Sequence, residues 1–234
     1  MSDIFSVSAE DDSTNMGEQL PEVLKVVLSS PPPKSDLTLS SSWVRVLGDA
    51  LVAYNSVNSP SASSELGEIW KSVWNYLDST DANTRKATAQ SLSAISSCFS
   101  TFLVTTAIAD MNGSSTIRKL VLQVTKALDA LPYARAIPEL LSVVSSFITN
   151  LRYKESKIGP TAAEVLLMPL IVRIADLRIS KGFEYKEAAD ATLAVAMRVL
   201  GPEVLLKALP LNLEPATRWV RSLITHVLFL TLTL

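Results

Sequence analysis

The chain has 234 residues, 48% of them hydrophobic, and a formal net charge of −2. This hydrophobic content, with only 7 glycines, excludes disorder over most of the chain and favours a continuous core. The single cysteine excludes an intrachain disulfide and fits a reducing compartment, and the acidic, Ser-rich N-terminus does not have the pattern of a secretory signal.

The small net charge conceals an uneven distribution along the chain. Residues 1–112 contain 6 Lys/Arg against 13 Asp/Glu, whereas residues 113–186 contain 11 against 6, and residues 187–234 contain 4 of each. We therefore expect an acidic partner, if the protein has one, to bind the middle of the chain.

The N-terminal third begins with a segment, 1–18, that is predicted to be disordered because it is acidic and Ser-rich. Apolar residues between 19 and 28 predict a short helix that ends before three prolines at 31–33. Ser40 or Ser41 is then predicted to cap the next helix, whose apolar side chains recur at helical spacing.

Residues 69–99 are the most informative part of the chain. After a predicted loop at 59–64, they form two amphipathic segments joined by a short polar turn. In that turn Asp81 is placed to cap the second helix, and Arg85 follows four residues later. This layout is typical of a HEAT-type helical hairpin, which needs stacked neighbours to bury its apolar faces. Asp81 and Arg85 are accordingly predicted to be structural turn residues.

The rest of the chain continues the helical periodicity. Apolar faces at 117–128, 137–151, 165–179 and 189–200 are separated by MNGSS at 111–115 and by proline or Gly-Pro breaks. No stretch shows sustained alternation with a period of two, so the predicted fold class is all-α, a HEAT-like α-solenoid of antiparallel helix pairs over residues 19–214. The predicted pairs are about 19–57, 63–100, 114–153 and 162–208.

The last segment, 215–234, is an apolar tail whose structure the pattern does not define. It is interrupted by threonines and includes the one histidine, His226. Its apolar run is shorter than the ~20 residues that a membrane-spanning helix needs, so no membrane contact is predicted.

Catalytic, cofactor and metal sites are not predicted. One histidine and one cysteine do not form a zinc site, and no nucleophile–base pair or Gly-rich phosphate loop is present in the sequence. Cys98 lies on a strip of small residues and is interpreted as a packed apolar side chain. The sequence therefore predicts a non-catalytic protein without cofactor or small-molecule substrate.

A group of basic residues in the middle of the chain is the candidate binding surface for RNA or a partner protein. An ordinary solvated repeat edge is the simpler interpretation, because only Tyr153, Phe183 and Tyr185 supply aromatic rings nearby. The candidate residues are Arg152, Lys154, Lys157, Arg173, Arg178, Lys181 and Lys186.

The ending at 201–213, GPEVLLKALPLNL, resembles that of the ribosomal RNA-processing protein 12 family of HEAT-repeat ribosome-assembly factors. The stretch 130–179 is also similar to that family, and the resemblance covers about residues 36–214. The chain departs from the family pattern after Pro215, so we expect a fragment or truncated product.

This resemblance implies a scaffold in ribosomal RNA processing and in small ribosomal subunit assembly and export, located in the nucleus and nucleolus. The implied partners are proteins of the pre-ribosomal particle, ribosomal RNA and nuclear transport factors. The alternative is a HEAT-repeat adaptor of another pathway, of the transport-receptor or microtubule-array type, for which the acidic first half would suit basic cargo.

Overall fold

The computed structural model describes residues 13–156 and 159–209, with side chains from residue 20 onward. These residues form ten α-helices and one 3₁₀ segment, and their only β pairing is an isolated antiparallel bridge between Lys154 and Thr161. The all-α fold class is therefore confirmed. The helices are α1 Ser13–Ser29, α2 Leu37–Val57, α3 Ser59–Trp74, α4 Ala82–Ser96, α5 Thr101–Ala109, α6 Thr116–Leu128, α7 Ile137–Asn150, α8 Ala162–Ile179, α9 Lys186–Leu200 and α10 Pro202–Ala208, with the 3₁₀ segment Leu131–Ala136 between α6 and α7.

The chain divides into two compact units, residues 1–100 with α1–α4 and residues 101–234 with α5–α10. In the first unit, α2 packs against α1, α3 and α4. Helix α1 begins at Ser13, inside the segment 1–18 that was predicted to be disordered. The core of this unit is built from side chains at helical spacing, including Leu47, Leu51, Leu66, Ile69, Trp70 and Leu92, each at most 1% exposed.

Small side chains let α2 and α4 approach each other closely. The Ser91 hydroxyl donates to the carbonyl of Val44 at 2.6 Å, and the Cys98 sulfur, just after α4, lies 3.9 Å from the carbonyl oxygen of Leu51. Both links join residues 47 positions apart, so the two helices run in the same direction. A Cβ on Gly48 would lie only 3.0 Å from the Cβ of Ser91, so the contact leaves little room for a side chain there.

The predicted cap of α2 is wrong. The helix begins at Leu37, because the carboxylate of Asp36 accepts a hydrogen bond from the amide of Leu39 at 2.9 Å. Ser40 is instead buried in the first turns of the helix, and the Ser41 hydroxyl donates back to the carbonyl of Leu37 at 2.6 Å. Asp36 precedes both serines and directly follows the proline turn, so the helix that it caps has already begun at Ser40 and Ser41.

The predicted loop at 59–64 is also wrong, because these residues form the first turns of α3. The side chain of Asn58 accepts a hydrogen bond from the amide of Ser61 at 3.2 Å, and Pro60 occupies the first turn. Proline is well suited to that position, where its missing N–H leaves no hydrogen bond unmade. A Ser-rich sequence that begins with Asn-Ser-Pro therefore starts a helix here.

In the second unit, α8 packs against α5, α6, α7, α9 and α10. This explains why its sequence is apolar nearly all round, and side chains on several of its faces are buried, among them Leu166, Leu167, Leu170, Ile171 and Ile174. Helices α7 and α9 also pack together, and the Ser145 hydroxyl donates to Thr192 Oγ1 at 3.1 Å across the same 47-residue spacing. Within the described residues, no single helix is long and apolar enough to cross a membrane.

Candidate functional site

The turn between α3 and α4 is built by two charged side chains. The carboxylate of Asp81 accepts hydrogen bonds from the amide of Thr84 at 2.7 Å and from its hydroxyl at 2.9 Å, which lower the pKa of Asp81. The guanidinium of Arg85 donates to the carbonyls of Ser79 and Thr80 at 2.9 and 3.0 Å. Both side chains therefore form hydrogen bonds with groups between Ser79 and Thr84.

The candidate basic residues are divided between the two ends of α8. Arg152 and Lys154 lie in the loop before α8, whereas Lys181 lies in the loop after it and Lys186 at the start of α9. The 18 residues of α8 span about 27 Å at 1.5 Å per residue, so the two groups are not one continuous patch. The seventh candidate, Lys157, lies outside the described residues.

Two of the candidate arginines lie on α8 and form ion pairs. Arg173 donates to the carboxylate of Asp129 with its Nη2 at 2.5 Å, and this hydrogen bond raises the pKa of Arg173. Arg178 donates from Nε and Nη2 to the two carboxylate oxygens of Asp190, at 2.7 and 3.1 Å. Because their charges are already compensated, these arginines connect parts of the second unit and offer less positive charge to a partner.

The other four described candidates are exposed. Arg152, Lys154, Lys181 and Lys186 have no hydrogen bond or ion pair from their side chains to any described residue. They are therefore the members of the candidate set best able to contact an external anion without first breaking an internal pair.

A cleft of about 440 Å³ opens beside Lys181, between the α6–α7 connection and the loop from α8 to α9. Its walls include Leu131, Leu177, Phe183 and Tyr185, and Phe183 and Tyr185 pack edge to face with ring centroids 6.1 Å apart. The structure thus brings two of the three nearby aromatic residues and one end of the basic set to the same place.

Sequence reasoning missed Arg135, which lines this cleft from the 3₁₀ segment. Arg135 precedes the candidate residues 152–186 in the sequence, so a search limited to one continuous segment does not include it. The signal that would have found Arg135 is the repeat spacing, because the two connections lining the cleft lie about one repeat apart in sequence.

The described residues contain no group of three or more His, Cys, Asp or Glu side chains that could hold a metal ion. His226 lies outside them. Burial raises the pKa of the Cys98 thiol, which is 1% exposed, so this thiol is protonated and packed in the core of the first unit.

Helix pairs, a capped polar turn and a 47-residue spacing between equivalent helices define a helical-repeat protein of the HEAT class. Residues 78–223 match the family model described as ribosomal RNA-processing protein 12, HEAT repeats. The chain belongs to this family, and the predicted resemblance and HEAT-like solenoid class are confirmed.

One curated relative is a Schizosaccharomyces pombe protein provisionally named ribosomal RNA-processing protein 12. It is 27% identical over 183 residues, which cover 78% of this chain and 14% of the relative. The chain therefore spans a small part of the length of the relative it matches, and what the whole relative does is not transferred to it as a fact.

Proposed function

We propose that this chain is a non-catalytic scaffold that acts in ribosomal RNA processing and in the assembly and export of the small ribosomal subunit. The observation that supports this most is membership of the ribosomal RNA-processing protein 12 HEAT-repeat family over residues 78–223. The proposed partners are proteins of the pre-ribosomal particle, ribosomal RNA and nuclear transport factors, and the proposed location is the nucleus and nucleolus.

The mechanism that we propose is multivalent docking. Stacked helix pairs present many loops along a surface, so affinity is a sum of weak contacts rather than one deep site. In the second unit, the exposed cations Arg152, Lys154, Lys181 and Lys186 contact phosphates of RNA, together with Lys157. Arg173 and Arg178 support the surface through their ion pairs with Asp129 and Asp190.

One observation favours a second candidate, an adaptor of another pathway that binds basic proteins. Residues 1–100 contain 6 Lys/Arg against 12 Asp/Glu, and this charge balance would attract a basic segment. The same family membership that supports the scaffold argues against this alternative.

The test is crosslinking of the tagged chain in cells, followed by sequencing of the bound RNA and by imaging. A scaffold of ribosome assembly should concentrate in the nucleolus and recover ribosomal RNA precursors. Charge reversal of Arg152, Lys154, Lys181 and Lys186 to Glu should reduce that recovery.

The matched control reverses four exposed cations of the first unit to Glu: Lys25, Arg45, Lys71 and Lys86. It changes the net charge by the same amount and should retain the RNA. Exclusion from the nucleolus, with recovery of basic proteins and no ribosomal RNA precursor, would instead establish the adaptor.

A further inference from the structure

The cleft beside Lys181 corresponds to a place in the first unit that is filled. In each unit it is the gap between the connections of two successive helix pairs: 30–36 and 75–81 in the first unit, 129–136 and 180–185 in the second. An ion pair across 44 positions joins adjacent helix pairs in each unit, but at different places: Lys34 and Asp78 lie in the two connections, whereas Asp129 lies in a connection and Arg173 on α8. The two gaps are compared by their place between successive connections.

In the first unit the gap contains an aromatic ring of the chain itself. Tyr76 is 4% exposed, its hydroxyl donates to the carbonyl of Pro32 at 2.7 Å, and its ring lies 5.4 Å from that of Trp43. Burial raises the pKa of Tyr76. A flat ring with one polar edge thus completes the contact between two successive connections.

In the second unit no ring of the described residues fills the equivalent gap, and about 440 Å³ lies open among them. This volume lies in the range of ~300–1,000 Å³ typical of sites for small ligands. Phe183 and Tyr185 are half-buried in its wall, edge to face, so each exposes part of its ring to the cleft. Leu131 at the mouth is 87% exposed, which leaves an apolar surface without a cover among the described residues.

The charges around the cleft favour an anionic ligand. Arg135 lines it, and Lys181 and Lys186 directly flank the lining segment 182–185; all three side chains are exposed. Against these three cations stand two exposed carboxylates, that of Glu184 in the lining and that of Glu187 next to Lys186, whereas the charge of Asp129 is compensated by Arg173. One positive charge therefore remains in excess at the rim. A planar apolar group attached to a phosphate chain fits both the aromatic wall and the positive rim.

We propose that this cleft binds one unstacked base of single-stranded RNA, placed against Phe183 and Tyr185 while neighbouring phosphates contact Arg135, Lys181 and Lys186. The base occupies the position that Tyr76 fills in the first unit. This inference rests on the proposed function, and it adds to it a defined base-stacking site. An apolar peptide is disfavoured as the occupant because it would leave the three cations without a partner.

The experiment measures binding of the purified full chain to a single strand of about 12 nucleotides whose only base is one 2-aminopurine, with every other position abasic. Stacking of this fluorescent base on the aromatic rings should quench it. Ala134→Trp fills the cleft from the exposed 3₁₀ segment, without touching the core, and should abolish the quenching and weaken binding about 5- to 150-fold.

Two controls separate this site from general RNA binding. Ala82→Trp places the same ring on an exposed position of the first unit and should leave quenching and affinity unchanged. Replacing the 2-aminopurine by an abasic nucleotide should weaken binding to the wild-type chain but not to Ala134→Trp, because the filled cleft no longer accepts a base.

RNA binding that is equally tight with and without the base would overturn the cleft proposal while leaving the proposed function intact. Binding of an apolar peptide that displaces no RNA and is blocked by Ala134→Trp would overturn it in favour of a protein partner. Failure of the cellular crosslinking experiment, by contrast, would remove the proposed function itself.

Discussion

The carboxylate of Asp110 organises the loop between α5 and α6. It accepts hydrogen bonds from the amides of Ser115 at 2.6 Å and of Asn112 at 2.9 Å, within a turn in which Gly113 has a φ of 72°. These bonds, chiefly that from Ser115, lower the pKa of Asp110 to about 2. The loop is therefore expected to depend on the ionised form of this side chain.

This dependence predicts how the effect of Asp110→Ala on stability changes with pH. An unfolded Asp has a pKa of about 3.9, against about 2 for Asp110 in the folded chain. Between these two values the unfolded state binds more protons than the folded state, so stability decreases as the pH is lowered. Above pH 5 the wild type should melt at a higher temperature than the variant, and the difference should shrink from pH 4 to pH 2. A difference that stays constant down to pH 2 would show that the ionised carboxylate contributes nothing.

The helix cap formed by Asp81 leads to a second prediction, about the melting temperature. Asp81→Ala removes the acceptor for the Thr84 amide and should lower the melting temperature by about 2–8 °C. Asp81→Ser retains a capping oxygen and should recover most of the loss. Equal melting of all three proteins would mean that this cap does not stabilise the hairpin.

Asp81 and Arg173 differ in how well their contacts can be predicted from the sequence. A helix cap is local, so Asp81 could be assigned from its position before the segment Ala-Asn-Thr-Arg that begins the helix. The pairing of Arg173 with Asp129 spans 44 residues and depends on the stacking of two helix pairs, which no local pattern specifies. For that reason the sequence grouped Arg173 with the exposed cations, and the structure separates them.

At the scale of helices, the close approach of α2 and α4 is the most sensitive contact. Gly48→Val should cost about 1–3 kcal/mol, because its Cβ would meet Ser91 at 3.0 Å and the backbone behind it at 3.1 Å. The matched control, Ala53→Val, adds two methyl groups at an exposed position of the same helix and should change stability by about 0.5 kcal/mol or less.

Chemical denaturation monitored by tryptophan fluorescence measures both variants, since Trp70 and Trp74 are buried in the same unit. Their stacked rings, 5.8 Å apart, report the packing of α3 directly. If Gly48→Val and Ala53→Val were equally stable, α2 and α4 would not be in the close contact described.

Helix α5 shows where periodicity fails as a guide. Its sequence, TFLVTTAIA, is apolar on every face and rich in β-branched residues, which have low helix propensity. No amphipathic pattern marks it, and it was not predicted. Packing against α6 and α8 stabilises it as a helix. The secondary structure of this segment therefore depends on tertiary contacts and not on local helix propensity.

At the scale of the molecule, the two units differ in charge. Residues 1–100 contain 6 Lys/Arg and 12 Asp/Glu, whereas residues 101–234 contain 15 and 11. The helical class and this asymmetry follow from composition and spacing. The cleft does not, because it depends on whether a ring fills the gap between successive connections: Tyr76 does so in the first unit, whereas Phe183 and Tyr185 lie only in the wall of the gap in the second.

The charge asymmetry leads to a prediction about salt. Each phosphate contact to single-stranded RNA contributes about −0.7 to the slope of log affinity against log salt. Reversal of Arg152, Lys154, Lys181 and Lys186 to Glu should therefore flatten the slope by about 3, as measured by fluorescence anisotropy over a range of salt concentrations.

Arg178→Glu is the control that shows whether the change in salt slope is specific to the four exposed cations. This arginine is bonded to Asp190 and only 19% exposed, so Arg178→Glu would place two carboxylates together and should lower the melting temperature. It should change the salt slope less per residue than the four exposed cations, since its charge is already compensated within the unit. A slope that falls as much for Arg178→Glu alone as for the fourfold variant would show that RNA displaces Asp190, and would place the phosphate path along α8 instead of at its two ends.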